Sequence, residues 1–310
     1  MSNPANTECV ALPSANISYT NITGIVILTF GSLGVVVTLF CLAALCKFWN
    51  SPIVKASNRE LSLSFLLTIL ALFSLVYIDV FKTTNTICMI MYPLRYLTYN
   101  ICLSTLLVKV LLISCAFRVP IMTSLELTSL PNKVQVGIVI AFLAPLLSVL
   151  MPWLLLDPPF NFQHIYPKRY TFNECKAYSS SVGKSLFLAT CFYIFFQMLV
   201  SSVCAFKIRK IPENFSEAKR IAFSMYIFLL SLLCYHPVEL SLNGWYVTVV
   251  DCVTTLLSAY GFLCCLFLPK MYILFFRQEM NDVNGIRHEV TQFSFSSGCV
   301  RVNPAFDSSI

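Results

Sequence analysis

Seven uninterrupted apolar stretches constrain this chain more than any other feature. They run Gly24–Cys46, Leu61–Val80, Ile90–Phe117, Val134–Leu156, Ser185–Phe206, Ile221–Leu242 and Tyr246–Leu268. A helix needs about 20 apolar residues to cross the hydrocarbon of a bilayer, and each stretch supplies them. No water reaches that layer, so every backbone N–H and C=O must be satisfied within the protein; only helices and closed barrels manage this. A barrel would alternate in polarity over segments of about 10 residues, and a run such as Gly24–Leu45 does not alternate. The expected fold class is all-α, a seven-transmembrane helix bundle. Composition agrees: 11% of the 310 residues are charged and 57% are apolar, against about 25% charged in soluble domains. So few charges cannot cover a water-facing surface. A soluble enzyme, a disordered chain and a disulfide-stapled secreted module are excluded.

An odd number of spans puts the two ends on opposite sides, and the basic residues say which is which. With the N-terminus outside, the inner connections collect most of the 21 Lys and Arg, among them Lys47, Lys55, Arg59, Lys133, Lys207, Lys219 and Lys270; the outer ones hold Lys82, Lys168, Arg169, Lys176 and Lys184. The expected plan is a short extracellular tail at 1–23, a membrane domain at 24–281 and a cytoplasmic tail at 282–310, the last too polar and aperiodic to order itself. The net charge of +7 is spread in short clusters between apolar blocks, so it signals orientation and not nucleic acid. Asn16 and Asn21 each begin an Asn-x-Ser/Thr sequon in the external tail, the acceptor pattern for glycosylation.

Fourteen cysteines are present, and most fall inside spans, where a thiol is a small apolar filler. Cys9, Cys88 and Cys175 fall outside, in the oxidising compartment. A bridge between Cys88 and Cys175 would pin the longest outer loop, Asp157–Lys184, over the bundle and leave Cys9 unpaired. No Cys/His spacing suggests a metal, and nothing in the chain calls for a cofactor. Lys109 lies near the inner end of the third span, where a charge must either snorkel to the interface or find a partner. Toward the outer side, Tyr92, Arg95, Tyr96, Tyr99, Tyr235, His236, Glu239 and Asp251 form a belt of ionisable and aromatic groups. Such a belt within a membrane is a site for a polar ligand, or an internal Arg95–Asp251 pair that only fixes helix packing. Asp79 reads as a plain acid at the outer end of the second span.

Three separated segments carry a resemblance. Ser51-Pro52-Ile53-Val54-Lys55-Ala56-Ser57-Asn58-Arg59-Glu60-Leu61-Ser62 resembles the first inner loop of class C G-protein-coupled receptors. Arg209 to Lys219 followed by Phe223-Ser224-Met225 looks like their third inner loop and sixth helix, and Pro269-Lys270-Met271-Tyr272-Ile273-Leu274-Phe275 like the end of their seventh. Cys88 through Leu103-Ser104 to Lys109 fits the third helix without a gap. The resemblance covers roughly residues 24–281 and is nearest to the calcium-sensing, type-2 vomeronasal and fish olfactory branch.

It implies a multi-pass plasma-membrane receptor that passes a chemical, chemosensory signal to a heterotrimeric G protein by helix rearrangement. It implies a resting-state salt bridge between Lys109 and Glu217, an amine-contacting role for Asp251, and partner contacts at Lys55, Arg59, Lys210, Lys219, Arg220 and Lys270. Leu232 stands where the class usually has Trp. The 23 residues before the first span are too few to form a core, so the large outer ligand domain of the class is expected to be missing. This leaves, as an alternative, a truncated non-signalling partner that dimerises with a full-length relative; homo- or heterodimers belong to the implied partners, beside the lipid bilayer. An intramembrane enzyme is disfavoured by the lack of paired catalytic acids or a Ser/His dyad, and a transporter by the lack of internal repeats.

Overall fold

The computed structural model describes residues 19–81, 84–118, 132–166, 170–208, 216–241 and 245–276. Seven of its helices are long and apolar enough to cross a membrane. In chain order these and the connecting elements are α1 (Ile22–Lys47), the short α2 (Pro52–Ala56), α3 (Arg59–Val80), α4 (Asn85–Arg118), α5 (Asn132–Leu156), strands β1 (Phe160–Tyr166) and β2 (Tyr170–Lys176), α6 (Ser181–Ile208), α7 (Ser216–Ser241), α8 (Trp245–Phe262) and α9 (Leu268–Phe276). Every expected span is present. The terminal tails and much of the segment between α6 and α7 lie outside the described residues, and with them Cys9, Asn16 and Lys210.

α4 is the axis of the bundle. Its membrane window is 72% buried, against 28% for α1 and 17% for α5. It packs on α3, α5, α6 and α7, while α1, α3, α8, α7, α6 and α5 touch one another in turn around it. The outward faces of α1 and α5 are lined by exposed Phe30, Leu33, Val36, Ile140 and Leu155, which is what lipid-facing helices should offer. Aromatic side chains fill the interior: Phe65 packs edge-on to Phe262, and Tyr99 edge-on to Phe228. Leu232 is buried among this core. α1 and α3 meet closely because Gly34 has no side chain; a Cβ there would lie 2.1 Å from the Phe73 ring.

Two boundaries differ from the sequence expectation. α4 begins at Asn85 instead of Ile90, because Thr84 caps it: its hydroxyl accepts the Ile87 N–H at 3.3 Å and its carbonyl the Cys88 N–H at 3.0 Å. The last span does not stop at Leu268. Pro269 has no N–H to give and its ring crowds the carbonyl one turn back. The backbone answers with a π turn over Leu263–Phe267, in which Leu268 N–H reaches Leu263 O, and continues as α9 to Phe276.

The long loop after α5 also has more order than the sequence predicts. β1 and β2 pair antiparallel, with Asn161 opposite Cys175. A disulfide joins Cys175 to Cys88 at the start of α4. Trp153 Nε1 donates to Ala177 O at 2.9 Å and Tyr92 Oη to Cys175 O at 3.1 Å, so the hairpin is held against the bundle at several points.

Candidate functional site

Three polar groups of residues lie buried along α4, one near the disulfide end, one at mid-depth and one near the α2 end.

At the disulfide end, Asp79 of α3, Arg95 of α4 and Asp251 of α8 converge. All three are buried. Arg95 Nη2 donates to Asp79 Oδ1 at 2.6 Å and Nη1 donates to Asp251 Oδ2. Cys252 Sγ faces the other Asp79 oxygen at 3.9 Å. Charges at membrane depth occur where they can pair, and here one cation pairs with two anions on different helices. Asp79 is thus not the simple helix-end acid that the sequence suggests; its neighbour in space, Arg95, is 16 residues away in the chain. Both alternatives for Arg95 and Asp251 meet here: the internal pair exists, and it also forms one side of a cavity of about 70 Å³ lined in addition by Tyr92, Tyr235, Asn173 and Glu174. Such a volume holds a few water molecules or a small polar group.

The remaining members of the expected belt are elsewhere. Tyr96 packs against Trp153 and Phe187, with its hydroxyl on Cys191 Sγ at 3.3 Å. Tyr99 is a turn deeper, hydrogen-bonded to Thr255 at 3.1 Å. His236 is half-buried with its ring 5.3 Å from that of Tyr235, and does not line the cavity. The Glu239 side chain lies outside the described residues. Asn173 and Glu174 were not singled out by the sequence. Their signal is the polar stretch just ahead of Cys175, which the disulfide folds over the bundle.

At mid-depth, Asn100 Nδ2 donates to Gln197 Oε1 at 2.8 Å, and Gln197 Nε2 donates to Ser104 Oγ at 2.7 Å. Asn100 Nδ2 also reaches Phe142 O at 3.3 Å, and the Tyr193 hydroxyl donates to the same carbonyl. α4, α5 and α6 are therefore joined by side-chain amides. Phe142 lies in the turn before Pro145, whose missing N–H leaves the Ala141 carbonyl without its helical donor.

At the α2 end, two buried lysines meet on one serine. Lys109 Nζ donates to Ser62 Oγ at 2.7 Å and to Ser57 O at 3.4 Å. Lys270 Nζ donates to Ser57 Oγ. Ser57 sits in the turn between α2 and α3. The turn closes through Asn58, which adopts a left-handed conformation (φ 56°) that Asn tolerates better than most residues. Asn58 Nδ2 then reaches Gln135 Oε1 of α5 at 2.7 Å. Lys109 therefore has named partners and does not snorkel; the Glu217 side chain lies outside the described residues. Lys270 is buried in this packing, contrary to its expected place on a partner-facing surface. Of the other basic candidates, Lys55 and Lys219 are exposed, Arg220 is half-buried, and Arg59 stacks over Trp49 at 5.1 Å.

Seven spans, a loop tied to the third by a disulfide, and two lysines locked on the turn between α2 and α3 agree with the segments that carry the resemblance. The family described as "7 transmembrane sweet-taste receptor of 3 GCPR" matches residues 17–270. The chain belongs to this family, the class C G-protein-coupled receptors. It is similar to the mouse extracellular calcium-sensing receptor, 31% identical over 94% of this chain and 27% of the relative. It is also similar to the goldfish (Carassius auratus) G-protein coupled receptor family C group 6 member A, 34% identical over 88% of this chain and 30% of the relative. A Drosophila melanogaster metabotropic glutamate receptor is 28% identical over 88% of this chain. The chain thus spans less than a third of the length of the curated relatives it matches. The class C receptor family is one of multi-pass plasma-membrane proteins, and this chain is one of them.

Proposed function

We propose that this chain is the membrane-spanning transducer of a chemosensory class C receptor, which carries an external chemical signal to a heterotrimeric G protein by rearranging its helices. The orientation that goes with it puts the disulfide end and the sequons at Asn16 and Asn21 outside, and the α2 end in the cytosol. Family membership and the description of the matched family as a sweet-taste receptor support a chemical stimulus. The observation that carries the reading is the α2-end junction. Lys109 on α4 and Lys270 at the start of α9 both close on the Ser57 turn, so three separate parts of the inner face are joined by a few polar contacts instead of a dry core. Contacts of this kind can exist in two arrangements, which is what a switch needs.

In this reading Glu217, at the start of α7, joins Lys109 to hold the resting packing. A stimulus at the outer cavity, where Tyr92, Arg95, Tyr235 and Asp251 stand, favours the packing in which α7 and α9 part from the Ser57 turn. Lys55, Arg59, Lys210, Lys219 and Arg220 then face the G protein, and Lys270 joins them only once it leaves Ser57.

The test is second-messenger output in cells expressing the full chain at matched surface levels. Glu217→Ala and Lys109→Ala should each raise basal output severalfold over wild type. Output that stays at background in wild type and both variants, across the major G-protein classes, would contradict coupling.

A further inference from the structure

The Asp79–Arg95–Asp251 cluster has an arrangement that helix packing alone does not require. A single carboxylate would pair Arg95. Here carboxylates from two different helices grip the two tips of one guanidinium. The guanidinium is held by its tips. Arg95 Nη1 and Nη2 each serve one carboxylate, while the buried Nε has no partner among the described residues. A free guanidinium ion bridging two acids would be held in the same way. Bridging separated carboxylates suits a planar, two-ended donor better than an ammonium, which is a point charge. The cluster also opens onto the cavity beside Tyr92, Tyr235 and Glu174, so the seat can be reached without unpacking the bundle.

We propose that Asp79 and Asp251 form a cation seat of guanidinium class, and that Arg95 is its tethered occupant and the specificity-determining residue of the cavity. By filling the seat with its own side chain, Arg95 closes the floor of the cavity to external cations. Removing it converts the cavity into a site that takes a guanidinium ion from solution. The proposal rests on the cavity as an outer ligand site, but not on G-protein coupling.

The experiment is thermal unfolding of the full chain in detergent micelles, titrated with millimolar guanidinium, methylguanidinium or, as ionic-strength control, potassium chloride. Arg95→Ala should unfold at a lower temperature than wild type. Guanidinium should recover most of that loss with saturation, while potassium should not, and wild type should not respond. The response should disappear in Arg95→Ala with Asp251→Asn. Should Arg95→Ala fail to accumulate, Arg95→Gln, which keeps both acids and more of the side-chain volume, is titrated against the same criteria. The proposal is overturned by the absence of a saturable shift in the variant that accumulates, by an equal shift in wild type, or by persistence of the shift when Asp251 is neutralised. A saturable shift in a chain without second-messenger output would uphold the seat and reject the transducer; output without the shift would do the reverse.

Discussion

Asp157, just past the end of α5, accepts four hydrogen bonds from the turn that starts α6. The N–H groups of Ser179 and Ser180 lie at 2.9 and 2.7 Å, and their hydroxyls at 2.6 and 2.8 Å. Burial pushes its carboxyl up, but these donors outweigh burial and hold it at about 2. A carboxylate held below its ordinary value, about 3.9, stabilises the fold at any pH above that value. The contribution is lost as pH falls from about 4 through about 2, because the unfolded form takes up a proton before the folded one does, and below about 2 both are protonated. Asp157→Asn keeps the shape but turns an NH₂ toward donors. It should cost on the order of 1 kcal/mol at neutral pH and remove the acid-dependent loss between about pH 4 and 2, read from unfolding temperature in micelles against pH. At this scale the sequence is a partial guide. Arg95 and Lys109 stand out in it as charges within apolar runs. Their partners Asp79, Ser57 and Ser62 do not, since a helix-end acid, a turn serine and a serine in a helix look ordinary until folding brings them under a cation.

The elements were the most legible part, because the length of an apolar run and the thickness of a bilayer fix each helix without reference to its neighbours. What the sequence hid depends on local backbone chemistry. The early start of α4 is a cap at Thr84, and the passage of the last helix through Pro269 is a π turn. The alternation of Phe160, Asn161, Phe162 and Gln163 is the pattern of the hairpin, short enough to be read as loop. The join of α4 to α6 was also hidden, since Asn100 and Gln197 are 97 residues apart. Membrane hydrogen bonds of this kind contribute roughly 1 kcal/mol each. Asn100→Leu and Gln197→Leu should each lower stability by about that amount. The double variant should cost less than the two losses together, because the second change removes a partner already orphaned. A double-mutant cycle on unfolding in micelles measures this; full additivity would mean that the amides do not act as a pair.

Across the whole molecule, α4 carries the three polar groups on a single rod. Arg95 and Lys109 are 14 residues apart, about 21 Å along a helix, so the two ends of the bundle are joined through one element with Asn100 between them. That arrangement can serve signalling only if its two ends face different compartments, and the proposed orientation puts one outside and the other in the cytosol. The most direct measurement is antibody access to epitopes placed at the two ends of the chain, in intact and then permeabilised cells. The account predicts that the N-terminal epitope is stained on intact cells and the C-terminal one only after permeabilisation. Both epitopes stained on intact cells, or both only after permeabilisation with the protein at the cell surface, would contradict it.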